Sequence, residues 1–198
     1  MPPVRRKHPP EQEPRELTIA PGGNQRTRRH GGITRTVSAG FAHHQAGRLD
    51  RAAALYGKAL RRDPEHAEAL HLLGLAAYQR GNIRAAITLI EQALPKLHDL
   101  PEAHLNLGNA LWEAGRLGAA VDRYRRAIEL DPNYGIAHSN LAGALNDQGL
   151  FEAGLKSSRR AIELVPEFLG AHLNCASALM VPWTVHKGGG RRPRGPRS

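Results

Sequence analysis

The sequence predicts an all-α chain, a repeat array of stacked antiparallel helix pairs with disordered basic tails, and three observations carry that prediction. Four glycines, Gly47, Gly81, Gly115 and Gly149, stand 34 residues apart, and self-similarity at such a period marks a repeat architecture. Within each period apolar residues recur at helical spacing: Leu107, Leu111 and Ala114 follow i, i+4, i+7. Hydrophobic residues make up 40% of the 198 but aromatic residues only 5%. Thin, close-packed helices suit that composition better than a β-sandwich, which draws on Val, Ile, Tyr and Phe.

Taken in order, residues 1–32 hold seven Lys/Arg against three Asp/Glu and are rich in Pro and Gly, so a disordered basic tail is expected there. The repeats then run 33–66, 67–100, 101–134 and 135–168. Gly40, Gly74 and Gly108 keep the period seven residues ahead of the turn glycines, with Ala142 and Ala176 continuing the column. Ala52, Ala86 and Ala120 form another column that weakens to Gly154, and Ala59, Ala93, Ala127 and Ala161 form a fourth.

The third unit shows the logic. A first helix ends at Gly115, as expected where the backbone turns left-handed. A second helix follows, with Ala120, Tyr124, Ala127 and Ile128 on one face and charged residues on the other. Asp131-Pro132 closes the unit, because proline disfavours helical geometry at the residue before it. Gly108 and Ala120 let the two helices approach, and Tyr124 is expected to fill the gap between units. In the second unit Pro95 should cut the second helix short. Ile90 in the second unit and Ser158 in the fourth stand where Tyr56 and Tyr124 stand elsewhere, so local looseness is expected at both. Residues 169–180 read as a partial fifth repeat or a capping helix. Residues 181–198, with five Lys/Arg against no acid, read as a second disordered basic tail.

These columns resemble the tetratricopeptide repeat family, whose pattern wants a small residue at position 8, Ala at 20, an aromatic at 24, Ala at 27 and Pro at 32. The third unit supplies Gly108, Ala120, Tyr124, Ala127 and Pro132, and the first supplies Gly40, Ala52, Tyr56, Ala59 and Pro64. The resemblance covers 33–180. It implies a right-handed superhelix whose first helices line a concave groove, and a role as a protein-interaction scaffold that binds peptide segments. Stability then comes from stacking neighbours, since no unit buries its apolar face alone.

Asn106, Asn140 and Asn174 recur at position 6 of their units, inside "AHLNLGNAL", "AHSNLAGAL" and "AHLNCASAL". On the family's architecture they point into the groove, about 10 Å apart. An extended peptide advances about 3.3 Å per residue, so one amide would meet every third residue or so. Each offers an acceptor and two donors to a peptide backbone. Asn109, at position 9, joins them as a candidate. The alternative is that these amides bond to a neighbouring helix. The ladder resembles the repeat region of the O-linked N-acetylglucosamine transferases and their bacterial relatives, where equivalent asparagines grip extended substrates. A rival reading follows: the chain is a truncated or non-catalytic portion of such a protein, presenting substrate to a catalytic region encoded elsewhere.

Other chemistries find little support. Tetratricopeptide clamps for C-terminal carboxylates use groove lysines and arginines, and here the asparagines fit but no cation does. His104, His138 and His172 recur at position 4. A separation of about 10 Å exceeds the roughly 4 Å that two ligands of one metal span, so they are read as packing residues. Cys175, the single cysteine, rules out an intrachain disulfide and is read as a small buried residue. With no catalytic constellation, no enzyme activity, cofactor, metal or small-molecule ligand is expected. The net charge of +10 divides as +4 and +5 in the tails and +1 over 33–180, so nucleic-acid binding is not expected of the body. No run of 18 apolar residues occurs, and a cytoplasmic location is expected.

Overall fold

The computed structural model describes residues 25–180, and both predicted tails, apart from 25–32, lie outside the described residues. Nine helices make up the described chain. Four pairs, α1 (Gln25–Gln45) with α2 (Leu49–Leu60), α3 (Ala67–Gln79) with α4 (Ile83–Ala93), α5 (Pro101–Glu113) with α6 (Leu117–Leu130) and α7 (Gly135–Asp147) with α8 (Phe151–Leu164), are followed by α9 (Leu169–Leu179). Helix α1 begins ahead of residue 33, so 25–32 are helical where the sequence reading places tail.

Each hairpin turns in the same way. Gly115 takes φ +71°, its N–H donates to the Trp112 carbonyl at 2.8 Å, and the Arg116 N–H donates to the Leu111 carbonyl at 2.9 Å. This pair of bonds satisfies carbonyls that the helix end leaves without partners, and it needs a residue free of a Cβ penalty at positive φ. The other three turn glycines repeat it. After the first and third units an Asp-Pro turn makes the link: the Asp131 carboxylate accepts from the Asn133 N–H at 3.0 Å. In the second unit α4 stops at Ala93 and a short 3-10 turn carries Pro95, as the sequence reading expects.

Packing within a pair depends on positions 8 and 24. A Cβ on Gly108 would stand 2.5 Å from the Tyr124 ring, and one on Gly40 2.6 Å from Tyr56. Tyr124 therefore seats on its own unit's first helix, within the buried cluster shared with neighbouring units. The expected looseness is also absent at both sites. Ile90 is fully buried over Gly74, where it takes the tyrosine's place. Ser158 is fully buried with its hydroxyl donating to the Leu155 carbonyl at 3.0 Å. Beside it the Asn146 side chain occupies the space over Gly154. One buried apolar cluster joins the first two units, and a larger one runs from α4 through α7.

Candidate functional site

Successive first helices lie side by side, and their polar residues meet across the seams. The Asn106 Nδ2 donates to His71 Nε2 at 3.0 Å, across the seam from α5 to α3. The Asn140 Nδ2 donates to the Asn109 Oδ1 at 2.8 Å, from α7 to α5. The Asn174 Nδ2 donates to the Ser139 carbonyl at 2.9 Å, from α9 to α7. All three position-6 asparagines are half-buried, and each uses one amide proton to tie its unit to the preceding one. The second of the two sequence readings thus accounts for one donor on every rung. None of their Oδ1 atoms accepts a bond among the described residues.

Asn109 links helices in two directions. Its Oδ1 accepts from the Tyr124 hydroxyl at 2.9 Å and from Asn140, while its Nδ2 donates to no described residue. Burial pushes the Tyr124 hydroxyl pKa above the ordinary tyrosine value, helped by the nearby Tyr78 and Glu113. It stays a neutral donor for Asn109.

Asn109 and Asn140 border a hollow of about 380 Å³ whose other walls are Tyr78, Trp112 and Glu113. It spans α3, α5 and α7, the helices the family pattern assigns to the concave face. Trp112 bridges α5 to α7: its Nε1 donates to an Asp147 carboxylate oxygen at 2.7 Å, and its ring meets Tyr124 edge-on at 6.3 Å. A Cβ on Gly143 would collide with the Trp112 ring, so glycine there lets the indole lie against α7. Burial, then Glu113, raises the Tyr78 hydroxyl pKa.

Of the four predicted residues, Asn109 and Asn140 share this hollow, whereas Asn106 and Asn174 do not line it. Sequence reasoning missed Tyr78, Trp112 and Glu113. The signal was there, since Tyr78 and Trp112 stand one period apart and continue as His44 before and Asn146 after. A wider hollow of about 820 Å³ between α6 and α8 holds none of the four asparagines, and its Arg160 and Glu163 pair with each other at 3.0 Å.

His104 is buried, as the packing reading expects, and the position-4 histidines share a polar role besides. His104, His138 and His172 each place Nε2 on the carbonyl six residues earlier, at 3.0, 3.0 and 2.7 Å, pinning a first helix to the loop before it. Cys175 is half-buried. Among the described residues no group of His, Cys, Asp or Glu is placed to hold a metal, and no helix is long and apolar enough to cross a membrane.

A tetratricopeptide-repeat family profile matches residues 43–110, and a TPR-repeat profile matches 108–149, so together they span more than half the chain. The chain belongs to the tetratricopeptide-repeat family. A crystal structure of MamA protein is similar to it at 26% identity and a TM-score of 0.67, covering 74% of this chain and 80% of that one. The Thermobaculum terrenum O-GlcNAc transferase is similar at 29% identity and a TM-score of 0.65, over 69% of this chain but only 26% of the transferase. YrrB, described as a TPR protein with an unusual peptide-binding site, shares the fold at 23% identity and a TM-score of 0.65, covering 72% of this chain and 74% of that one. A search of curated proteins finds no match.

Proposed function

We propose that this tetratricopeptide-repeat protein is a non-catalytic interaction scaffold that holds an extended peptide segment along its first helices. The observation that carries this reading is the hollow over Asn109 and Asn140, where one amide leaves its Nδ2 without a partner and the other its Oδ1. Together these are a donor and an acceptor for one peptide group's carbonyl and N–H. Asn106 and Asn174 extend the row through their unpartnered Oδ1 atoms. Neutral hydrogen bonds contribute about 0.5–1.5 kcal/mol each, while micromolar affinity needs about 8 kcal/mol. The aromatic walls must therefore contribute as well. Selection from a displayed random-peptide library on the full chain should yield binders whose affinity falls several-fold in Asn140→Ala with the circular dichroism spectrum unchanged. Binders indifferent to Asn140→Ala and to Trp112→Phe would overturn the groove assignment.

A second reading, presentation of peptides to a glycosyl-transferring region, draws on the likeness to the Thermobaculum terrenum enzyme's repeat-sized portion. It uses the same groove and predicts the same binders.

A further inference from the structure

The charges of the solenoid are sorted by helix. Helices α3, α5, α7 and α9 carry Glu68, Glu102, Glu113 and Asp147 and neither lysine nor arginine. Helices α2, α4, α6 and α8 carry nine Lys/Arg against six Asp/Glu. From α3 onward the first helices are therefore anionic and the second helices together cationic; α1, with four arginines and no acid, is the exception.

The hollow between α3, α5 and α7 concentrates this sign. Glu113 is exposed at its wall and forms no ion pair among the described residues, and no cation lines the site. Tyr78 and Trp112 supply its aromatic walls. The Trp112 N–H donates to Asp147, so a second carboxylate lies at the indole's edge. His71, the nearest buried imidazole on α3, has its pKa lowered by burial against the opposing pull of Glu102. It adds no positive charge there near neutral pH.

We infer that the hollow selects a cationic segment, seating an arginine side chain between Tyr78, Trp112 and Glu113 while Asn109 and Asn140 hold the adjoining backbone. This rests on the groove reading above and names the chemistry of its guest. A planar guanidinium stacks on an aromatic face and forks onto a carboxylate at once. Lysine supplies a point charge and fits less fully. An acidic segment meets the like charge of Glu113 and no cation in the lining.

The test uses the full chain and the same displayed library at physiological ionic strength. Arginine should be enriched and Asp and Glu depleted among binders that depend on Asn140. In a synthetic copy of a selected peptide, replacing the arginine by its neutral isostere citrulline should weaken binding about tenfold. Glu113→Gln should remove most of that arginine-over-citrulline preference, and Glu113→Lys should abolish binding while leaving melting unchanged, since the side chain is exposed. Rising salt should weaken the arginine peptide more than the citrulline one. Asn140-dependent binders without arginine enrichment, or an unchanged preference in Glu113→Gln, overturn the charge assignment and leave the groove standing. An absence of any Asn140-dependent binder overturns both.

Discussion

The third and fourth units have the same length and the same turn, yet they are filled by opposite means. In the third, Gly108 leaves room for Tyr124, whose ring is fully buried, meets Trp112 edge-on and carries a hydroxyl that anchors Asn109. In the fourth, the equivalent positions are Ala142, Ser158 and Asn146. There the Asn146 side chain lies over Gly154 and donates to the Asn174 carbonyl at 2.8 Å. The Asn146 Oδ1 is left buried with no partner. The small position 8 and the bulky position 24 thus form a matched pair: Gly74 keeps room for Ile90 as Gly108 does for Tyr124, and where the large side chain gives way to Ser158 the glycine is lost with it. The hollow sits where the two styles meet, because an aromatic from α5 projects onto a helix whose Gly143 leaves it space.

The comparison can be broken most directly at position 24. Tyr124→Ala should cost about 3–5 kcal/mol, the usual loss for a large buried ring, whereas Ser158→Ala should cost under about 1.5 kcal/mol, one hydrogen bond. Urea denaturation of the two variants checks this, and equal losses would refute the contrast. A sharper probe is the pair itself. Gly108→Ala places a methyl against the Tyr124 ring and should cost about 1–3 kcal/mol, but far less in a Tyr124→Ser background, giving a positive coupling in a double-mutant cycle. At the fourth unit, Ala142→Gly should cost the helix-propensity difference of about 1 kcal/mol together with the burial of one methyl, since Ala142 is fully buried.

The smallest expected effect is a pH dependence centred on the second and third units. Burial, the larger influence, lowers the pKa of His71 and of His104 below 6.5, against opposing contributions from Glu102 and from the His98 carbonyl respectively. A histidine depressed in the folded state binds fewer protons folded than unfolded. Stability is therefore full above pH 6.5 and declines as the pH falls below it, towards the folded-state values. Melting temperatures followed from pH 7.5 to 5 should drop on the acid side, less steeply in His71→Gln. A flat profile would show that neither ring is held neutral.

The helix pairs, their phase and their turns were legible in the sequence because each depends on local chemistry. Gly115 ends a helix through its own left-handed backbone, and Asp131-Pro132 closes one. The candidate site was legible in part. Asn109 and Asn140 stand at positions 9 and 6 of neighbouring first helices, but their bonding, to each other across the seam and from Tyr124 on α6 to Asn109, is set by packing between helices. Trp112 and Tyr78 stood in a periodic column of their own and were passed over, since an aromatic at helical spacing reads first as core.

What the sequence by itself determined is the order of helices and turns, for these follow from short-range preferences repeated at one interval. Which amide protons are used and which remain, and where a carboxylate and two rings enclose a space, only the tertiary structure decided. Those outcomes depend on how closely neighbouring first helices approach, a distance set by the glycines and rings packed between them and not by any one stretch of chain.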